Sequence, residues 1–348
     1  MKLIRAFALS SMLLAAFGCS VEASSSEETG DAVSAREAPL ARFNYFINNL
    51  KGTIENAATV EDAANALLAS GRPVSFSLQS LCRIYGSESD EFGNIRDDFK
   101  GLEDGIGQYD KWNGIYQEAV SEKADAATLA RLKKTRDDAL VTFTKMLTSK
   151  GWRTEGGKKT RMTEIEEFLQ KFPWQSRKGD REVIFKRLSK ELGDIAETTY
   201  DMKKLEYGDG VHELRRDIRW VLMEQTTLNG VVILKDRGTK CPIPAYADIL
   251  NDQDAASTRY AQLSSSALEP YACKLSPCVV IAAAKAVDDI GEIKDAAEKA
   301  VNIAGDSDVV PVALQAKAQA IYDEVRKNKL IETFQSEIEA CRTTNNNR

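Results

Sequence analysis

His212 is the one histidine among 348 residues, and it opens a run, VHELRRDIRW (211–220), that also carries Arg215, Arg216 and Arg219. At 3.6 residues per helical turn these four positions stand at i, i+3, i+4 and i+7 and form one stripe. An imidazole and three guanidiniums on one stripe suit the gripping of an anion, because arginine forks match phosphate and carboxylate oxygens two at a time. By itself the stripe is unfavourable. Like charges one turn apart repel, and a histidine in a first helical turn meets the positive end of the helix dipole. The offsetting charge must come either from carboxylates on neighbouring helices or from a bound phosphate, for which the free N–H groups of a helix N-terminus are suited.

Val211, Leu214, Ile218 and Leu222 form an adjoining apolar stripe that should face the core, with Trp220 at the border between the two. The preceding segment, 178–206, reads as another helix. If it packs antiparallel on 210–234, Lys203 and Lys204 fall nearest His212, while Lys190 and Arg187 lie further along, towards Arg219. Acidic residues are interleaved there, so an ordinary mixed helix face is the plain alternative. Other chemistry is poorly supported. GWRTEGGKKT (151–160) resembles a phosphate loop, but its Gly-Lys pair comes one position late and no Ser or Thr follows the lysine directly. No G-x-S-x-G run occurs, and a Ser-His-Asp triad would need His212 with no serine singled out beside it.

The elements that must position this stripe are helical. TVEDAANALLAS (59–70) opens with Thr59 and has Asp62 three residues on, a capping box. Residues 91–123 repeat apolar side chains in three-four steps from Phe92 to Tyr116 and read as one long helix or two in sequence; residues 124–152 continue to Gly151. Residues 160–172 form a short helix that stops before Pro173. VVIL (231–234) is β-branched, but with no visible partner strand it reads as the buried end of the helix over 210–234. KDRGTKCPIP (235–244) is a loop, and the rest reads as three or more helices, over 245–264, 276–304 and 308–342. With no sustained strand alternation, the expected class is all-α: a bundle of long antiparallel helices joined by short turns. An N-terminal helical segment, 40–90, should precede the main bundle, 91–343, with a boundary near 84–92; 344–348 is a polar tail.

The first eighteen residues, with Lys2 and Arg5 ahead of an apolar run, read as an export signal. Cleavage before Cys19 resembles bacterial lipoprotein processing and would leave a lipid anchor; cleavage after Ala23 is the alternative. Residues 19–39, rich in Ser, Glu and Ala, should be a disordered tether. Cell-envelope or periplasmic location follows, with membrane contact only through the anchor. Of the five later cysteines, Cys82 stands apart in the N-terminal half and should be a buried free thiol. Cys241, Cys273, Cys278 and Cys341 should form two disulfides, with three pairings open. Their spacing is loose for zinc, so no metal and no cofactor are expected. The formal net charge of −6 speaks against specific nucleic-acid binding by bulk charge.

The run VHELRRDIRW resembles the signature helix of CHAD domains, histidine-containing α-helical domains that bind polyphosphate. His212, Leu214, Arg215 and Arg219 fall on the matching positions. The family usually has further basic residues where this chain has Trp220 and Leu222, and two such helices where this chain has one histidine. The resemblance implies a helical fold and non-catalytic binding of inorganic polyphosphate or another phosphate-rich polyanion. His212 would donate a hydrogen bond, Arg215 and Arg219 would clamp charge, and Arg216, Lys203 and Lys204 would be secondary contacts. Two other expectations compete: an envelope protein of structural or adhesive role with the stripe neutralised internally, and a phosphoester hydrolase with His212 as general acid.

Overall fold

A computed structural model describes residues 37–343, except 155–157, 206–208, 229, 237, 264–271 and 305–308. The export signal, Cys19, Ala23, the tether up to residue 36, the centre of the 151–160 run and the tail lie outside the described residues. The chain is all-α. Helix α1 (Glu37–Glu55) begins slightly ahead of the expected end of the tether, and α2 (Val60–Ile84), α3 (Asp90–Ser121) and α4 (Ala126–Ser149) follow. Then come α5 (Arg161–Lys171), α6 (Arg177–Glu197), α7 (Val211–Thr227), the five-residue α8 (Gln253–Ser257), α9 (Pro277–Ala304), α10 (Val312–Lys327) and α11 (Leu330–Thr343).

Local sequence explains the starts and stops. Thr59 accepts a hydrogen bond from the Asp62 N–H at 3.0 Å while Asp62 accepts from the Thr59 N–H at 3.1 Å, so the capping box forms as expected. Ser89, Asp125 and Thr160 cap α3, α4 and α5 by accepting first-turn N–H groups on their side-chain oxygens, without the reciprocal bond. α4 is followed by Gly151 at φ +73°, a left-handed turn that suits glycine. The glycines of α3 do not break it. Gly105 lies against the buried Phe143 of α4, where a β-carbon would come within 2.4 Å of the ring; glycine there lets the two helices approach. The turns at 85–89 and 122–125 fold α2, α3 and α4 into an antiparallel layer. α2 packs on α1, α3 and α7, and α7 packs on α9 and α6, while α11 covers α6. The expected boundary at 84–92 falls in the turn between α2 and α3, two helices that pack face to face within one unit spanning Ser34–Arg348.

Four expectations need correction. VVIL is not a helix end: Val232–Leu234 is a strand, β1, paired in parallel with β2 (Cys273–Leu275). Its partner is only three residues long, too short to show a pattern in sequence. The helices expected over 178–206 and 210–234 stop earlier, at Glu197 and Thr227. Residues 245–264 are not one helix but a 3-10 segment (Pro244–Asn251), α8 and a further 3-10 turn (Arg259–Ala261). The segment expected over 308–342 holds two helices, Val312–Lys327 and Leu330–Thr343, broken at Lys329 with φ +52°.

Two disulfides close the C-terminal third, Cys241–Cys278 and Cys273–Cys341, and Cys82 is a buried free thiol. Burial pushes the Cys82 thiol up, which leaves it unreactive. Disulfides of this kind belong to an oxidising, non-cytoplasmic environment. Among the described residues no helix is long and apolar enough to cross a membrane.

Candidate anion-binding site

The His-Arg stripe lines a cavity of about 800 Å³ walled by α2, α3, α7 and α9. Eight cationic side chains and six carboxylates border it, besides His212. The apolar face of α7 is buried as the periodicity required: Val211, Leu214, Ile218 and Leu222 are at most 1 % exposed. That burial rotates His212, Arg215, Arg216 and Arg219 together towards the cavity. Trp220 lines it as well, in edge contact with Phe76 of α2 at 5.8 Å.

The start of α7 differs from expectation. Its first N–H groups do not await an anion: Val211 N–H donates to the Lys204 carbonyl at 3.0 Å and His212 N–H to the Leu205 carbonyl at 2.9 Å. Gly210 makes this possible, since a β-carbon there would fall 2.7 Å from the Lys204 oxygen. The backbone of 204–205 thus abuts His212, but the two lysine side chains do not join the cavity lining. Lys204 Nζ bonds Asp209 at 2.8 Å, and Lys203 accepts the Val310 N–H through its carbonyl. An anion here must be held by side chains.

Those side chains are partly neutralised within the protein. Arg216 pairs with Glu213. Arg83 of α2 pairs with Glu191 of α6 and, at 2.9 Å, with the fully buried Glu224 of α7, and its guanidinium lies 4.6 Å from the Trp220 ring centre. Lys294 of α9 pairs with Glu298 at 2.7 Å. Arg215 has no ion pair among the described residues; its Nε donates to the Val287 carbonyl of α9 at 3.2 Å. Arg219 lies 5.4 Å from the Phe76 ring centre. Sequence reasoning missed the α2, α3 and α9 contributions, Arg83 and Lys294 among them, because nothing in their local spacing ties them to residue 212. It also missed Gln79, 3 % exposed on the cavity wall, whose Nε2 has no hydrogen-bond partner among the described residues. An unmatched buried amide costs about 1–3 kcal/mol.

Burial, then the positive charges of Lys294, Arg216 and Arg219, push the His212 pKa down to about 4, with Glu298 opposing. The imidazole is neutral at pH 7. Because the folded pKa is below the ordinary value of 6.5, the unfolded chain binds the proton more readily. Stability is therefore expected to fall as pH drops from about 6.5 towards 4. Denaturant midpoints across that range check this, and His212→Gln should flatten the slope.

Among the described residues no group of histidine, cysteine and carboxylate side chains could hold a metal ion. The chain matches no protein-family model, no curated protein and no solved structure.

Proposed function

We propose that this is an exported envelope protein, lipid-anchored at Cys19, that binds a phosphate-rich polyanion of the inorganic polyphosphate kind in the cavity above α7. One observation carries the reading: guanidinium and ammonium groups from four helices converge on one open space, and Arg215 reaches it with no ion pair among the described residues. The resemblance of VHELRRDIRW to the CHAD signature agrees with it. His212 would accept a proton as the anion arrives, so affinity should rise on acidification. The hydrolase reading is weaker, since no serine, threonine or cysteine nucleophile lines the cavity beside His212 and no side-chain group among the described residues could hold a metal ion. The reading as a structural protein is favoured by the ion pairs of Arg83, Arg216 and Lys294, but those pairs leave the cavity open.

The test is retention on immobilised polyphosphate. Replacing Arg215 and Arg219 together by alanine is expected to weaken binding about a hundredfold or more, since hydrogen bonds to charged groups are worth about 1.5–3 kcal/mol each. Because Arg215 also braces α9, Arg219→Gln alone and a thermal melt of each variant separate lost contact from lost fold. Retention should fall steeply with added salt. Unchanged retention in folded variants removes this site from the reading.

A further inference from the structure

We infer that Gly291 of α9 is a positioning residue: its missing side chain leaves a seat in which Arg215 lies against the helix backbone, held by a neutral group and with its charge still available to the anion. The inference rests on the polyanion reading of the same cavity. Glycine is a poor helix former, and α9, otherwise rich in alanine, carries one, buried in its interior. A β-carbon at Gly291 would meet Arg215 first: Nε at 2.7 Å, Nη2 at 3.1 Å and Cζ at 3.2 Å are the three nearest atoms. The space the glycine leaves is therefore taken by the guanidinium, whereas that at Gly105 is taken by a ring. The same contact accounts for the hydrogen bond from Arg215 Nε to the Val287 carbonyl at 3.2 Å. In a helix that carbonyl takes the N–H four residues on, which is Gly291's own, and its second lone pair is left for a side chain that can reach it. A side chain at 291 would cover that approach.

The anchor matters because it is neutral. Arg83, Arg216 and Lys294 are fixed on the cavity wall by carboxylates, and so is Arg72, by Glu103 at 2.9 Å. Each of those pairs positions a cation and offsets its charge in one step. Arg215 is positioned by a carbonyl, which leaves its charge in place. The bond is made at Nε, so the two terminal nitrogens remain as the fork that matches two phosphate oxygens.

Two measurements on the full folded chain test the seat. The first needs no ligand: Gly291→Ala is made alone and together with Arg215→Ala, and melting temperatures are compared. With Arg215 removed, alanine at 291 is expected to raise the melting temperature, as the better helix former. With Arg215 present, displacement of the guanidinium should cancel that rise, so the two substitutions are coupled. Equal shifts in both backgrounds would overturn the seat. The second is calorimetric titration with linear tripolyphosphate at pH 7.5 and one salt concentration. Gly291→Ala is expected to weaken binding about tenfold, or about 1.4 kcal/mol, while melting within about 4 °C of the unaltered chain. In the Arg215→Ala background the same substitution should change affinity less than about twofold. A glycine that served only helix packing would move melting temperature and affinity together. Undiminished affinity in Gly291→Ala, or an equal loss with and without Arg215, would overturn the positioning role and leave the polyanion reading standing. Coupled melting temperatures in a chain that does not bind tripolyphosphate would overturn the polyanion reading, and with it the seat's role towards a ligand, but not the seat.

Discussion

Replacing Asp180 by alanine is expected to lower the free energy of unfolding by about 3–5 kcal/mol, the cost of leaving a buried charge without its partner. Asp180 and Arg42 have side chains only 9 % and 5 % exposed, and they meet at 2.6 Å. Tyr85 completes the group: its hydroxyl donates to Asp180 Oδ1 at 2.6 Å and accepts from Arg42. Burial works against the Arg42 charge, but Tyr85 and Asp180 outweigh it and the guanidinium is held more firmly protonated than usual. Burial, with Asp180 alongside, pushes the Tyr85 hydroxyl up, so it stays a donor. The three residues tie α1 and the end of α2 to the start of α6, inside a cluster of Phe43, Phe92 and Trp174 rings. Denaturant midpoints measure the loss. A double replacement, Arg42→Met with Asp180→Leu, should recover most of it, because two apolar groups of similar volume leave no charge stranded. A single-variant cost below about 1 kcal/mol would mean that the interior there admits water to the guanidinium.

What could be read in the sequence followed from period and chemistry acting over one or two turns. The capping box at Thr59, the long α3, the apolar stripe of α7 and the placing of His212 beside Arg215 and Arg219 are all local consequences of side-chain spacing. So is the separation of Cys82 from the four bridging cysteines, although their pairing depends on tertiary proximity and three pairings fit the sequence. The β1–β2 pair shows where local reasoning stops. Val232 finds its register partner in Cys273, forty-one residues on, and neither strand is long enough to show alternation. The cavity was legible only on its α7 wall. Arg83, Gln79 and Lys294 are ordinary polar positions in their own helices, and only the packing of α2 and α9 on α7 makes them neighbours. Lys203 and Lys204 illustrate the converse. They lie beyond the end of α6, and backbone hydrogen bonds from Val211 and His212 to Lys204 and Leu205, not helix packing, set them beside His212, while the Lys204 ammonium bonds Asp209 outside the cavity lining.

Reduction of the two disulfides is expected to unfold the C-terminal third and to abolish polyanion binding with it. The bridges close loops with sequence separations of 37 and 68 residues. Loop-closure entropy assigns about 4 kcal/mol to each. Set against a total stability of about 5–15 kcal/mol for a folded domain, that loss is severe. It acts on the site through α9. Cys278 lies at the start of that helix, and Cys273 on β2 is joined to Cys341 on α11. Glu337 of α11 accepts the Ser276 N–H at 2.9 Å and pairs with Lys235 at 2.8 Å, so the same junction is held by polar contacts once the bridges exist. Further along α9, Val287 receives Arg215 and Lys294 faces His212. Freeing the start of α9 therefore loosens the wall against which the α7 stripe is set. Melting temperature and tripolyphosphate titration, each with and without a phosphine reductant, check the expectation. Thiol counting before and after confirms that the bridges have opened and that Cys82 is protected until they do. If the reduced chain keeps its melting temperature to within a few degrees and still binds, the polar junction at Glu337 is enough to hold α9, and the oxidising compartment contributes nothing to the site.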